Sequence, residues 1–247
     1  LEFRRVLFRS FIDDIVDARV GDAARTHGER LPGELLDLLG ARGLTLRDVD
    51  TLAVVAGPGS FTGLRVGMAS IQGLALVTER LVVPVPTLEA MAEAWRIAPR
   101  TPHPAPSTTA PSTPHRAPST VVLCALDGQR GDVFFGAWRV DAREPIETSV
   151  SLIEPAVGTP QELVARVKAL ALEAPPVLLG IGLDRHAPTL APLEAPIEPM
   201  PVTLAESAAR IAARRPDRAV SPHALRPLYI RRPDAELARE RAGVLPR

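Results

Sequence analysis

The chain has 247 residues, no formal net charge and an apolar fraction of 46%, with a mean hydropathy of +0.09. That length suits one large domain or two small ones, and the balanced charge gives no global attraction to nucleic acid. The single cysteine, Cys124, rules out an internal disulfide and a cysteine zinc cluster. No apolar run reaches the length of a membrane span and no signal peptide is expected, so a cytoplasmic protein is the expectation. Apart from Lys168 the basic residues other than histidine are all arginine, which reads as the composition of a GC-rich genome.

Residues 1–10, LEFRRVLFRS, fit poorly with the rest of the chain and read as a non-native scar, outside fold reasoning. Phe11–Val20 is expected as a strand, the late part of a hairpin whose start is missing. A first helix is predicted over Gly28–Arg42, with an apolar stripe of Leu31, Leu35, Leu38 and Leu39 and with Gly43 at the C′ position. Thr45–Asp48 resembles a capping box opening a short helical turn.

The stretch 51–77, TLAVVAGPGSFTGLRVGMASIQGLALV, is the most informative in the chain. Thr51–Ala56 suits a buried strand. Gly57, Pro58 and Gly59 break regular structure. Ser60 and Thr62 are both acceptable N-caps. From Gly63 to Val77, Leu64, Met68, Ile71 and Ala75 fall on one helical face. A strand, Gly-rich turn and helix present free N–H groups at a helix N-terminus, which suits an anion. The pattern is neither a P-loop nor G-x-G-x-x-G, and the plainer reading, that the glycines make the turn and bring helix and sheet together, is preferred. Gly63, Gly67 and Gly73 lie inside the helix, each costing about 1 kcal/mol relative to alanine. Gly63, Gly67 and Ser70 share a face, which points to close approach of another backbone.

Leu81–Val85 reads as a strand and Thr87–Ile97 as a helix capped by Thr87. Residues 98–120 are built from Pro, Ser, Thr and Ala, with APST three times, and are expected as a disordered insertion. Strands are predicted at Val121–Leu126, Asp132–Val140 and Ile146–Ile153, with an Asp127-Gly128 turn. Thr159–Glu162 is a capping box with proline at N1. Its helix has Leu163, Val164, Val167 and Leu170 as a stripe. A strand follows at Val177–Gly180. A helix opened by Thr203–Glu206 runs to about Arg215. The tail, HALRPLYIRRPDAELARERAGVLPR, is Arg-rich and expected to be partly mobile. Two similar α/β halves side by side indicate a duplicated fold. The domain reading is 11–97, the insertion 98–120, then 121–236, with 237–247 as tail.

GPGSFTGLRVGMASIQGLAL followed by VPVPTLEAMA closely resembles the signature of the TsaB (YeaZ) family. THGERLPGELLDLL, DGQRGDVFFGAW, GIG and PLYIRR agree with it in order. The resemblance covers roughly residues 19–97 and 121–236. It implies the actin/Hsp70/sugar-kinase (ASKHA) fold of two duplicated α/β subdomains, here with the first strand and its Asp-Thr absent. That strand's loop contacts nucleotide phosphates in the wider superfamily, so nucleotide binding is put in doubt. The resemblance implies a non-catalytic subunit of the tRNA threonylcarbamoyladenosine (t6A) machinery that has lost the metal site of its catalytic relative. Its partners would be a TsaD-like catalytic subunit and a TsaE-like ATPase, with tRNA reached through the complex and a homodimer possible when TsaD is absent. No cofactor of its own is implied; ATP and metal belong to the partner subunits. Family members pack against TsaD as a helical bundle. This places the partner interface at Leu31, Leu35, Leu38, Leu39, Gly63, Leu64, Gly67, Met68, Ser70 and Ile71, beside the signature turn Gly57, Pro58, Gly59, Ser60, Phe61 and Thr62.

The residues themselves give little chemistry. His27, His103, His115, His186 and His223 contain no His-x-x-x-His pair, and neither H-E-x-x-H nor G-x-S-x-G occurs. Ser60 has no histidine at suggestive spacing. Asp127 and Asp132 are readable as acid and base across a hairpin, but turn and strand-edge roles are preferred. The alternatives carried forward are an ATP-dependent small-molecule kinase and a metallopeptidase-like enzyme of the same fold.

Overall fold

The computed structural model describes residues 7–12, 15–20, 27–98, 119–141, 143–195, 197–200 and 204–228. The chain opens with an antiparallel hairpin of β1 (Leu7–Ile12) and β2 (Ile15–Val20), with Leu7 opposite Val20 and Ile12 opposite Ile15. Leu7–Ser10, within the stretch read as a non-native scar, pair with Asp17–Val20 of β2. Helix α1 (His27–Gly40) ends as Gly43 at C′ predicts. Gly43 takes φ +69, Leu44 N–H donates to Leu39 O at 3.0 Å, and Gly43 N–H donates to Gly40 O at 3.0 Å. The Thr45 box is present, with Asp48 accepting from the Thr45 N–H and hydroxyl, both at 2.7 Å.

Strand β3 (Thr51–Gly57), helix α2 (Phe61–Thr78), strand β4 (Leu81–Pro86) and helix α3 (Thr87–Ile97) follow, and β3 and β4 pair in parallel. Thr87 does not cap α3. Pro86 holds the N-cap position, and the Thr87 hydroxyl is buried without a hydrogen-bond partner. The second half supplies β5 (Thr120–Asp127), β6 (Val133–Val140), β7 (Val150–Gly158), α4 (Pro160–Ala169), β8 (Val177–Ile181), α5 (Ala187–Leu190), β9 (Ile197–Pro199) and α6 (Leu204–Arg214). Its strands form one sheet in the order β7-β6-β5-β8-β9, with β5 antiparallel to β6 and parallel to β8. Strand β7 starts later than the residue pattern predicts, because Ile146–Thr148 turns as a 3-10 helix and Ile146 enters the core. The Thr159 box opens α4 as predicted, with Glu162 accepting from Thr159 N–H at 2.7 Å. Residues 99–118 of the insertion, Thr203, and 229–247 of the tail lie outside the described residues.

Alternation along β6 explains the two-sided core. Trp138 and the partly buried Phe134 face one cluster, while Phe135 and Ala137 face another. The first cluster joins Val83 and Val85 of β4, Leu88 and Met91 of α3, Val122 and Cys124 of β5, and Ala208 and Ile211 of α6. The two halves thus share a core rather than touch at a surface. The last helix of each half reaches the other: α3 lies on β5, β6 and β8 as well as on β3 and β4, while α6 lies on β1, β3 and β4.

Where α3 meets α6 a fully buried carboxylate is held by two guanidinium groups. Glu93 accepts from Arg96 at 2.6 Å through both oxygens and from Arg214 Nη2 at 2.8 Å. Arg214 also reaches Glu147 at 3.2 Å. Bonding to Glu93 raises the Arg96 pKa above its ordinary value, against the opposing effect of desolvation. Arg218 adds a two-oxygen contact to Glu89 of α3 at 2.8 and 2.9 Å. Removing one member of such a buried set strands the rest, at a cost of about 3–5 kcal/mol. Glu93→Ala is expected to lower stability by about that amount in urea unfolding; an unchanged midpoint would show that the ion pair contributes nothing.

Candidate functional site

Strand β3, the Gly57–Ser60 turn and helix α2 form as the residue pattern predicts. Ser60 is the N-cap: its hydroxyl accepts from Gly63 N–H at 3.4 Å, and its carbonyl accepts from Leu64 N–H at 2.9 Å. Thr62 lies within the helix. The Gly57-Pro58 peptide is cis, and Gly57 sits at φ +121. The turn is held from the far end of the chain. Val220 forms an antiparallel bridge to Val82, and Gln72 donates to Pro222 O at 2.5 Å. Leu225 is buried beside Met68, Ile71 and Ala75, and Leu228 N–H donates to Ala56 O at 2.8 Å. A Cβ on Gly57 would lie 2.8 Å from Leu228 O. Gly57 is therefore required both by its backbone angle and by this close approach.

The predicted partner residues divide by burial. Leu31, Leu38, Leu39, Met68 and Ile71 are buried in this chain's own core, and Leu35 and Leu64 are half-buried. Gly63, Gly67 and Ser70 lie on a shoulder of α2, about a quarter turn from its buried face. They are half-buried, and a Cβ on Gly67 would meet nothing within 4 Å. Among the described residues no backbone makes the approach expected over Gly67. Ser70 donates its hydroxyl to Val66 O at 2.9 Å within the helix. Leu36 of α1 and Phe61, Leu76 and Val77 of α2 are exposed, Val77 to 83%. Arg65 stacks its guanidinium 3.9 Å from the Phe61 ring centroid. This exposed set was not read from the sequence, because the leucines of α1 and the apolar run of α2 do not by themselves say which side faces the core.

A polar constellation that residue spacing did not reveal lies at the ends of β5 and β8. Asp127 is buried there and ion-pairs with Arg185. Its Oδ1 also accepts from Gln129 N–H at 3.0 Å and stands 3.4 Å from His186 Nε2. Arg185 Nε points its hydrogen at the same His186 nitrogen, 3.1 Å away. The Asp127 carboxylate is engaged by Arg185 and the Gln129 N–H, and the cluster reads as a clamp between two parallel strand ends rather than as an acid–base pair. With 58 residues separating Asp127 from Arg185, no local motif signals it. His223 is exposed in a 3-10 turn, while His103 and His115 lie outside the described residues. Among the described residues no group of three or more metal-ligating side chains occurs, and no helix is long and apolar enough to cross a membrane.

The family described as "TsaD: tRNA N6-adenosine threonylcarbamoyltransferase" matches residues 21–166, more than half of the chain and all of the strand–turn–helix unit. The chain belongs to the TsaD family. The TsaB (YeaZ) resemblance read from residues 57–76 holds as well. The chain is 34% identical over 130 residues to the tRNA threonylcarbamoyladenosine biosynthesis protein TsaB of Escherichia coli, covering 52% of this chain and 48% of that one. It is 47% identical over 72 residues to the TsaB of Haemophilus influenzae, covering 29% and 30%. The chain thus spans about half or less of the length of these curated relatives. The solved YeaZ structure from Pseudomonas aeruginosa superposes with a TM-score of 0.61 at 22% identity, covering 90% of this chain and 92% of that one. The fold of this TsaD-family chain is the α/β ASKHA type. An older peptidase label also persists among these neighbours: a second Pseudomonas aeruginosa structure is described as a protein with similarity to "peptidase YEAZ".

Two measurements test the site as described. Gly57→Ala forces an unfavourable φ, costing about 1–3 kcal/mol, and adds repulsion against Leu228, so its melting temperature is expected to fall while Gly59→Ala is milder. Burial raises the Cys124 thiol above its ordinary pKa, so it is expected to resist thiol reagents until the protein unfolds. The unfolded thiol ionises above about pH 9 and the folded one does not. Stability should therefore decline as pH rises through that range, and Cys124→Ala should remove this part of the decline.

Proposed function

We propose that this chain is a non-catalytic subunit in tRNA threonylcarbamoyladenosine biosynthesis, and that it docks a TsaD-like catalytic subunit through the exposed side of α1 and α2. The observation that carries this reading is the open shoulder of α2. Three glycines inside one helix weaken it, and the room above Gly67 is used by no other part of the described chain. Small residues with clear space let a second helix come close, and the exposed Val77, which the helical period puts on the same side as Ser70 and Gly63, supplies apolar area near that approach. The relatives named TsaB support the pathway. The buried leucines of α1 and the Met68–Ile71 face then act as the platform beneath the docking side. The partner subunit would contribute the metal and the transfer chemistry. A TsaE-like ATPase would supply ATP turnover, and tRNA would be met through the assembly in the cytoplasm. In the absence of TsaD the same side could pair with a second copy of the chain.

Gly67→Leu tests the placement without unfolding the helix. Leucine is the better helix former by somewhat under 1 kcal/mol, and its side chain enters open space, so thermal stability is expected to be kept or raised. Co-purification with a TsaD subunit is expected to be lost, together with support of t6A formation in a reconstituted reaction. Retained co-purification would move the docking surface elsewhere. Turnover of ATP or of a peptide by the isolated chain would favour the kinase or peptidase alternatives instead.

A further inference from the structure

Arg96, Arg185, Arg210, Arg214, Arg215 and Arg218 each ion-pair with an aspartate or glutamate. Arg65 and Arg226 are exposed, and among the described residues no carboxylate meets either of them. The cause lies in the sequence. Neither 51–78 nor 219–233 contains an aspartate or glutamate, in a chain that has 29 of them. Folding lays these two acid-free segments side by side. Gln72 donates to Pro222 O, Leu225 joins Met68 in one buried cluster, and Leu228 N–H donates to Ala56 O. Residues 222–228 therefore follow α2 from Gln72 towards its N-terminus, with Arg226 between the anchors. Arg65 and Gln72, seven residues apart, project from the same side of α2, about 10 Å from each other along its axis. Each guanidinium is held by groups that leave its charge uncancelled. Arg65 stacks 3.9 Å from the ring centroid of Phe61, which is 57% exposed. Arg226 Nη1 donates to His223 O at 2.7 Å and to Leu225 O at 2.8 Å. Its Nη2 and Nε hydrogens are left for a ligand.

We propose that Arg65 and Arg226 contact a single-stranded segment of RNA. An unstacked base lies on the outer plane of the Arg65 guanidinium, and a neighbouring phosphate takes the remaining donors of Arg226. This rests on the reading that the chain acts in tRNA modification. A duplex fits less well, because its bases are already stacked on one another. The carboxylates of an acidic peptide would meet both charges but offer no ring to the Arg65 plane. Gly67 lies about 200° of helical rotation from Arg65. A subunit docked on the Gly67 shoulder therefore leaves this edge uncovered, and the chain can hold RNA and the catalytic subunit together.

The isolated full chain is titrated at low salt with a fluorescent single-stranded oligoribonucleotide. It is expected to bind this probe about tenfold or more tighter than a duplex of the same sequence. Arg65→Lys keeps the charge and removes the plane; binding is expected to weaken by about 5- to 100-fold with the salt dependence unchanged. Arg226→Gln is expected to flatten the slope of log K against log salt by about 0.7. Both side chains are exposed, so both variants should melt near the wild-type temperature. Four results would overturn the inference: no binding, equal binding of the duplex, variants that bind as the wild type does, or tighter binding of polyglutamate than of the RNA, which would assign the arginines to an acidic protein. Gly67→Leu leaves both arginines in place and RNA binding by the isolated chain needs no partner, so failure of this contact and failure of TsaD docking or t6A support are read separately.

Discussion

The exchange of last helices is the constraint on which the rest of the structure depends. Helices α3 and α6 lie side by side between the two sheets. Helix α3 leaves the first half to cover the second sheet, and α6 returns to cover the first. Once each sheet depends on the other's helix, the halves cannot separate without exposing the apolar cluster that runs from Val83 to Ile211. The buried Glu93, paired with Arg96 and Arg214 at this crossing, makes sliding costly as well. A displaced carboxylate would be left without partners in a medium that solvates charge poorly.

That rigidity bears on the candidate docking side. A helix with three internal glycines is a weak element by itself. Here α2 is braced by β3 and β4 beneath it, by α1 beside it, and by the returning segment Val220–Leu228. The brace fixes the signature turn through Ala56 and Gly57, so the exposed shoulder of α2 is presented in one orientation. A preorganised surface loses less entropy on binding, which is what a subunit acting by docking needs. The Asp127–Arg185 clamp plays the same structural part in the other half, tying the end of β5 to the turn after β8.

Much of the fold was legible in the residues because its signals are local. The Thr45 and Thr159 capping boxes, Gly43 at C′ and the Ser60 cap each need only three or four neighbouring residues, and each appears in the structure. The misses share a different cause. Thr87 carries a capping side chain, but Pro86 occupies the cap position and tertiary packing buries the hydroxyl. Ile146 reads as the start of a strand, but it is drawn into the core before β7 begins.

The sequence by itself determined the family, the duplication and most of the element order, though not β1, α5 or β9, because periodicity, caps and a long contiguous motif are written in adjacent residues. Only the tertiary structure decided which side of α1 and α2 is left open, that Asp127 meets Arg185 and His186, and that residues beyond 219 return to hold Gly57. Each of these depends on segments far apart in the chain being brought together. An apolar stripe states that a helix has a face to bury; it does not state what will cover the others.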